Sequence, residues 1–429
     1  MLTLDISSTL ARAITPSLGI PDQELSGLRS SMRRYIDDWL KERRQGKHAW
    51  SMVPYDKQAI ALVKEVAERV KTEHIRTVVW VGIGGSALGP QVIQEAFENP
   101  DTVEFVLLDS IDPAYLEMML KFVDWKSTLL VIASKSGSTL EPMSIFFLCF
   151  ERLRATMKDR GAAERTIAVT DVDAGPLRTF CAERGIAMLP IPADVGGRYS
   201  VFTPVGLLAM ALLSQDVNQF VRGAKEMDTA CQSASIDDNP AALLASVQFL
   251  LDTKRGYCLR TIMPYSQRLA PIARWDQQLI AESLGKVETA NPIPMAAIGT
   301  QDQHSLLQQW MAGPRKSWHL FIRETERPRL SVPDHVPPTF EFMAGKTFGQ
   351  LLDACYEGTS RALLSAKRPS VTITLPRLDA GNLGQLFYLF MTEAVLLGKL
   401  YRIDPYSQPA VEAGKKITKT ILSKGRTEE

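Results

Sequence analysis

The chain has 429 residues, of which 45% are apolar and 23% charged, with a formal net charge of +1. This is the composition of a globular protein with room for two domains, and the balanced charge indicates neither a nucleic-acid nor a membrane-surface partner. The five cysteines lie far apart and are odd in number, so no disulfide framework or cysteine metal site is predicted and a cytoplasmic location is expected. Because the sequence has no apolar run of about 18 residues, no membrane span is expected.

The first part of the chain is predicted to be helical. Residues 1–46 form this segment, with one helix from about residue 21 to residue 44. After a further helix, short apolar runs alternate with helical stretches to about residue 200, which predicts βαβ units around a parallel sheet. The predicted strands cover residues 77–81, 103–108, 129–133, 166–169 and 187–191, with helices over 57–72, 113–121 and 141–157.

A second block of the same kind begins near residue 239. Its predicted strands cover 258–263, 318–322 and 371–375, and its helices cover 241–251, 274–284, 348–364 and 382–401. The predicted fold class is therefore α/β, with two domains, each a parallel sheet flanked by helices. These domains are expected over 47–235 and 236–402, followed by a C-terminal helical tail over 403–429 with a helix at 411–423.

A strand, a glycine turn and a helix start follow one another at residues 77–90. The apolar strand stops at Gly82, and helical periodicity begins at Ser86. Such a turn presents backbone N–H groups and the positive end of the helix dipole to an anion. Three interpretations stay open at this point. The residues fit a dinucleotide fingerprint, with Asp109 after the next strand. They also fit a phosphosugar site with Ser86 as a ligand, or a tight turn with no ligand.

A second polar loop follows the strand predicted over 129–133. It places the hydroxyl groups of Ser134, Ser136 and Thr139, together with Lys135, at the carboxyl end of that strand. Such groups can surround a phosphate dianion, although serine- and threonine-capped loops without ligands are also common. A dehydrogenase uses one phosphate cradle, whereas two such loops about fifty residues apart favour a ligand held between them.

Further segments carry residues suited to proton transfer or charge stabilisation. Arg198 follows a Gly-Gly pair, and a fixed guanidinium can stabilise a developing oxyanion. Glu282 lies near the end of an apolar helical segment that also carries Gln278, and a carboxylate in a partly dry pocket suits a general base. His304 lies in a polar segment, and Lys415 lies in the opening segment of the final helix. The simpler alternatives are a surface arginine, an ordinary helix-end glutamate and a structural histidine.

Six segments, in this order, resemble the phosphoglucose isomerase family. The resemblance spans most of the chain, and the matching segments are 82–89, 134–139, 195–200, 282–286, 300–304 and 408–415. Gln408, Glu412 and Lys415 match the last family motif. Ala410 stands where the family usually has glycine, and Ser407 stands where it commonly has aspartate or asparagine.

The resemblance implies two sugar-isomerase-type (SIS) α/β domains and the reversible isomerisation of glucose 6-phosphate to fructose 6-phosphate, without cofactor or metal. His304 and Lys415 would open the sugar ring, and Glu282 would then move a proton between C2 and C1 through a cis-enediol. Arg198 would stabilise the enediolate. The implied substrate-binding residues are Gly85, Ser86, Ser134, Lys135, Ser136 and Thr139 for the phosphate, with Gln278 and Gln408 for the sugar. In this family the histidine segment reaches the neighbouring subunit, which implies a homodimer with shared active sites.

Two other classes of function remain as alternatives. A phosphosugar sensor would keep the two phosphate loops but would have no use for Glu282, Arg198 and His304 together. A dehydrogenase would bind a nicotinamide cofactor tightly. The nearest alternative is an isomerase that also accepts mannose 6-phosphate, and the difference lies in how the C2 hydroxyl group is handled.

Overall fold

The computed structural model describes residues 1–288 and 292–424, so the last five residues of the predicted C-terminal tail lie outside the described part. The strands of the described part are β1 (Thr3–Asp5), β2 (Thr77–Val81), β3 (Glu104–Leu108), β4 (Thr128–Ala133), β5 (Thr166–Asp171), β6 (Ala187–Ile191), β7 (Leu259–Pro264), β8 (Ile293–Ala296), β9 (Ser317–Glu326) and β10 (Ser370–Arg377). Its α-helices are α1 (Asp22–Gly27), α2 (Arg29–Arg44), α3 (Lys57–Thr72), α4 (Gly85–Phe97), α5 (Pro113–Leu120), α6 (Leu140–Glu164), α7 (Pro176–Arg184), α8 (Pro204–Leu212), α9 (Val217–Cys231), α10 (Pro240–Arg255), α11 (Ala270–Leu284), α12 (Gln301–Ser305), α13 (Leu307–Ala312), α14 (Phe348–Ser365), α15 (Ala380–Tyr401) and α16 (Val411–Lys424).

The first sheet is entirely parallel and has the strand order β3-β2-β4-β5-β6. The two central strands β2 and β4 are buried along their whole length, as expected of a sheet covered by helices on both faces. From β2 the chain continues to β3 on one side of β2, and it then crosses to β4 on the opposite side of β2. The order therefore reverses between these two strands, and this is where open α/β sheets bind ligands.

The second sheet repeats this arrangement, with the order β1-β10-β9-β7-β8. Strands β8, β7, β9 and β10 are parallel and follow the same topology as β3, β2, β4 and β5, while β1 is an antiparallel addition at the edge. The two blocks thus share a topology although no sequence repeat is visible. The predicted α/β class is present in the structure, with two sheets that are parallel apart from β1, and the division at residue 235 stays a prediction.

The predicted elements agree with the structure apart from one helix, and several elements were not predicted, among them helices α7, α8, α9, α12 and α13. All eight predicted strands are present, but the short strands β1 and β8 were not predicted. Pro294 argues against a strand at β8, yet an edge strand tolerates proline because one side of its backbone makes no ladder hydrogen bonds. The single helix predicted from about residue 21 to residue 44 is two helices, α1 and α2, with Gly27 ending the first.

The long helix α15 lies in the core between the other elements. Within the described residues it is long and apolar enough to cross a membrane, and 94% of the 18-residue stretch that passes this test is buried inside the protein. A buried charged cluster joins it to the second sheet. Arg260 of β7 donates to Asp276 of α11 at 3.0 Å and to Glu393 of α15 at 3.0 Å, and all three side chains are fully buried. This cluster fixes α11, the helix that carries Glu282.

The buried imidazole of His319 gives the fold a dependence on pH. His319 of β9 is fully buried against Trp310 and Phe321, and burial lowers its pKa to about 3. Between about pH 6.5 and this value the unfolded chain binds a proton that the folded chain does not, so stability falls as the pH falls. When the pH falls from 7 to 5, we expect the unfolding free energy of the parent chain to decrease by about 2 kcal/mol more than that of His319→Phe.

The measurement is urea unfolding of both proteins at the two pH values. His335→Phe changes an exposed histidine and serves as the matched control. Equal losses of unfolding free energy in the parent chain and in His319→Phe would mean that His319 is not kept neutral by the fold.

Candidate active site

A cleft of about 400 Å³ lies at the carboxyl ends of β2 and β4, where the strand order of the first sheet reverses. Helix α11 of the second block contributes to its wall, so the cleft lies between the two blocks. Ten of the predicted site residues line it, which are Gly85, Ser86, Ser134, Lys135, Ser136, Thr139, Arg198, Gln278, Glu282 and Gln408. His304 and Lys415 do not line it.

Two helix N-termini point into one end of the cleft. Helix α4 begins at Gly85 and α6 begins after Thr139, so each directs the positive end of a helix dipole towards the cleft. The hydroxyl of Thr139 does not cap α6 but lies 3.3 Å from that of Ser136. Ser136 is exposed to solvent. This end of the cleft therefore has the donors that a phosphate dianion requires.

Glycine is needed at position 85 because two loops meet there. A Cβ atom at this position would lie 2.0 Å from the carbonyl oxygen of Gly197 and 2.7 Å from the backbone nitrogen of Arg198. By contrast, a Cβ at Gly196 or Gly197 would meet no protein atom within 4 Å. The close approach at Gly85 therefore places the start of α4 directly beside Arg198.

Lys135 connects the second phosphate loop to the segment before Arg198. Its ammonium group donates to the carbonyl oxygens of Ala193 at 2.5 Å and Val195 at 3.0 Å. Partial burial lowers the pKa of Lys135, while Asp171 and Asp194 act in the opposite direction. An ammonium group has three N–H donors, so one remains for a ligand in the cleft.

Two side chains hold the carboxylate of Glu282 in the wall of the cleft. Gln278 lies one turn earlier on α11 and donates to Glu282 Oε1 at 2.8 Å, while Arg198 Nη1 donates to Glu282 Oε2 at 3.2 Å. The Glu282 side chain keeps 30% of its surface exposed, whereas Arg198 keeps 2%. The carboxylate is thus oriented on both oxygens and still open to the cleft.

The guanidinium of Arg198 is bonded on every side. Besides Glu282 it donates to Ser283 Oγ at 2.9 Å, to the carbonyls of Pro405 at 2.6 Å and Tyr406 at 2.9 Å, and to the side-chain oxygen of Gln408. Such a network fixes a planar cation in one orientation. Ser283, Pro405 and Tyr406 were not predicted. Ser283 adjoins a predicted residue, but no sequence signal shows which backbone carbonyls face an arginine.

The two residues predicted to open the ring lie elsewhere in this chain. His304 is exposed on the short helix α12, outside the cleft. Lys415 lies on α16 with 59% of its side chain exposed and pairs with Glu412 at 2.7 Å. The roles of both residues stay predictions.

Comparison with known proteins agrees with the motifs and the fold. A family model described as phosphoglucose isomerase matches residues 51–429.

The chain belongs to the phosphoglucose isomerase family.

Two relatives in this family match nearly the whole chain. The glucose-6-phosphate isomerase of Rubrobacter xylanophilus is 34% identical over 93% of this chain and 94% of the relative. That of Carboxydothermus hydrogenoformans is 32% identical over 95% of this chain and 92% of the relative. The family resemblance predicted from the six segments is therefore confirmed.

Solved structures show the same fold. A hypothetical protein from Thermus thermophilus superposes with a TM-score of 0.89 at 29% identity, over 98% of this chain and all of that one. A glucose-6-phosphate isomerase from Chlamydia trachomatis superposes with a TM-score of 0.82 at 22% identity, over 96% of this chain and 88% of that one. The predicted fold class of the phosphoglucose isomerase family is confirmed.

Proposed function

We propose that the protein interconverts glucose 6-phosphate and fructose 6-phosphate in the cleft between β2, β4 and α11. The observation that carries this proposal is the carboxylate of Glu282, which is held on both oxygens by Gln278 and Arg198 and faces the cleft. The names of the relatives and the family membership support the same substrate pair.

The sugar phosphate would lie with its phosphate on the two helix N-termini. Ser86 comes from the first loop, and Ser134, Ser136 and Thr139 come from the second, with Lys135 beside them. This places the anionic end of the substrate at the switch point of the first sheet. The sugar carbons would then extend towards α11, where Gln278 and Gln408 orient the hydroxyl groups.

The chemical step moves one proton between two adjacent carbons. Glu282 takes the proton from C2 of the open-chain aldose, and electron density moves to the oxygen on C1. This gives a cis-enediolate, the anion of the cis-enediol. A proton then passes from O2 to O1, and Glu282 returns its proton to C1 as the carbonyl group forms at C2. Arg198 stabilises the negative charge on the enediolate oxygens because its guanidinium is already fixed beside the carboxylate. Positioned proton transfer contributes about 10²- to 10⁴-fold, and preorganised charge and positioning supply further acceleration.

His304 and Lys415 are proposed to open the ring by moving protons at the ring and hydroxyl oxygens. His304 is exposed outside the cleft of its own chain, as expected if it acts in the cleft of a second copy. We therefore propose a homodimer with shared sites. For Lys415 to act at the cleft, α16 must take up a different position from the exposed one described above.

The proposal also covers the cellular location of the protein and its division into domains. We infer a cytoplasmic enzyme, in line with the soluble sugar-phosphate substrates. We also propose that residues 47–235 and 236–402 are separate domains, each containing one of the two sheets.

The test of the proposal is an assay of the purified protein with fructose 6-phosphate, after chelator treatment and without added cofactor. Formation of glucose 6-phosphate at a rate that is catalytic and saturable supports the proposal. A protein that binds the sugar phosphate but forms no product would instead be a sensor, and tight binding of a nicotinamide cofactor would indicate a dehydrogenase. Mannose 6-phosphate is assayed beside fructose 6-phosphate to define the substrate range.

Mixing two impaired variants tests the shared site. We expect Glu282→Gln and His304→Ala each to keep at most about a hundredth of the parent activity. Equal amounts dissociated and reassociated together should regain about a quarter of the parent activity. Half of the dimers are then hybrids, and each hybrid has one site with an intact Glu282 and an intact partner His304. Reassociation of each variant alone is the control. No recovery in mixtures that do form hybrid dimers would mean that both residues act in the same chain.

A further inference from the structure

Residues Asp404 to Gln408, called here the 404–408 segment, form the side of the site that holds Arg198. Two consecutive carbonyls of this segment, those of Pro405 and Tyr406, accept from Arg198 Nη2 at 2.6 Å and 2.9 Å. Gln408 accepts from Nη1 of the same guanidinium. The direction in which Arg198 points towards the cleft therefore depends on where this segment lies.

A second cavity of about 330 Å³, which Arg198 does not line, borders the 404–408 segment. Its lining residues come from the segment and from α2, α15 and the stretch after α2, and they are Glu42, Lys47, His48, Val395, Lys399, Ile403, Asp404, Pro405 and Tyr406. The segment therefore borders both cavities, through Gln408 at the cleft and through Asp404, Pro405 and Tyr406 at the second cavity.

Besides Arg198, two groups hold the segment, which are the Lys286 ammonium on the carbonyl of Asp404 and the partners of the Tyr406 hydroxyl. This hydroxyl bonds to His48 Nδ1 and accepts from Trp50 Nε1 at 2.9 Å. His48 Nε2 lies 2.9 Å from Glu42 Oε2, and Lys399 donates to the same carboxylate oxygen at 2.8 Å. The chain of hydrogen bonds thus runs from Tyr406 through His48 to helix α2.

With a neutral imidazole, the chemistry of the four groups gives these bonds one direction. An indole N–H is only a donor, so the Tyr406 oxygen accepts from Trp50 and its own O–H is free to donate to His48 Nδ1. His48 Nε2–H then donates to the carboxylate of Glu42. This pattern needs a neutral imidazole, and burial lowers the pKa of His48, while Glu42 opposes that change and Lys399 and Lys47 add to it.

The backbone of His48 is also unusual. Its φ is +59°, in the left-handed region that residues other than glycine rarely adopt. Such conformations persist where the surrounding contacts hold them. Here the conformation directs the imidazole towards Tyr406.

We propose that His48 is a positioning residue for the isomerase reaction, which holds the 404–408 segment through the Tyr406 hydroxyl and thereby aligns Arg198 with Glu282. This inference rests on the proposed function. His48 lines the second cavity and not the cleft, so it acts through Tyr406 and Arg198 and touches no reacting atom.

The test compares four variants in the isomerase assay. His48→Ala and Tyr406→Phe are each expected to lower kcat by about ten- to a hundredfold, because small misplacements of a charge-stabilising group have effects of this size. KM for fructose 6-phosphate should change less than twofold, roughly, because the phosphate loops are untouched. His48→Asn should recover most of kcat, since asparagine tolerates the left-handed conformation and can bond to Tyr406. His74→Ala is the matched control, because His74 has the same backbone conformation, with a φ of +53°, and is exposed.

Two further readouts separate positioning from general stabilisation. A sugar-acid phosphate whose C1 carboxylate mimics the enediolate should lose affinity in parallel with kcat, whereas inorganic phosphate should not. The double variant His48→Ala, Tyr406→Phe should be no slower than the slower single variant, because both changes remove the same contact. If His48→Ala does not fold, Tyr406→Phe still removes the hydroxyl alone and decides the question.

The outcomes are distinct. Unchanged kcat in folded Tyr406→Phe, or additive losses in the double variant, would overturn the positioning role while leaving the isomerase in place. An inactive parent protein would reject the proposed function, and this inference with it.

Discussion

Glu282→Gln is expected to lower kcat for the conversion of fructose 6-phosphate by about 10²- to 10⁴-fold, with KM nearly unchanged. Glutamine keeps the shape of the side chain, and its amide oxygen can still accept from Gln278. It cannot accept a proton from carbon, so the step between C2 and C1 loses its base. The measurement is steady-state kinetics in both directions, together with exchange of the substrate C2 proton with deuterated water, which should stop in the variant.

Glu117→Gln provides the control for this prediction, since Glu117 is an exposed glutamate on α5 outside the cleft. It removes the same charge from the surface and should leave both kinetic constants as they are. Substantial activity in Glu282→Gln, with proton exchange continuing, would assign the base to another group. The family membership would stand in that case, and the role of Glu282 would not.

The fold was predictable because its signals are local. Runs of apolar, β-branched residues such as β2 and β4 identify strands that are buried on both faces, and the helical stretches between them imply parallel pairing. The elements that were missed lack such signals. Strand β1 has three residues and exists because its backbone pairs with β10, more than 360 residues later in the chain. Pairing at that distance leaves no periodicity to detect.

The cleft-lining residues were predictable for a related reason. In a parallel sheet the carboxyl ends of neighbouring strands lie at one edge, so loops after β2 and β4 that carry glycine and hydroxyl groups must lie near each other. Gln278 and Glu282 are one turn apart, so a helix places both on one face. The Gly-Gly pair before Arg198 indicated a functional arginine, but nothing in the sequence indicated that its side chain is buried.

Other parts of the site depend on long-range contacts that have no local pattern. The carbonyls that hold Arg198 belong to residues more than 200 positions later, and the Tyr406 hydroxyl that supports them is bonded to His48, 358 positions earlier. No spacing rule connects such positions. His304 and Lys415 illustrate the opposite case, because the motif predicts them as site residues while this single chain does not bring them to the cleft.

Gly85→Ala is the second change for which a large effect is expected. The added Cβ would lie 2.0 Å from the carbonyl oxygen of Gly197, whereas atoms in contact need about 3.5 Å. The loop that carries Arg198 must therefore move by about 1 Å or more away from α4. Such a displacement costs about 10²-fold in activity, and overpacking of this kind costs about 1–3 kcal/mol in stability. We expect both kcat and the melting temperature to fall, as measured by the isomerase assay and by thermal unfolding.

Gly358→Ala is the matched substitution for this case. Gly358 lies inside helix α14, and a Cβ there would meet no atom within 4 Å, so alanine should stabilise the chain by about 0.5–1 kcal/mol. The same chemical change thus has opposite expected signs at the two positions, and the sign depends only on what surrounds each glycine. Parent-like activity and stability in Gly85→Ala would mean that the contact between the start of α4 and the Arg198 loop is not needed to form the site. A fall in kcat with unchanged stability would instead show that the loop moves easily and that its position matters for the reaction alone.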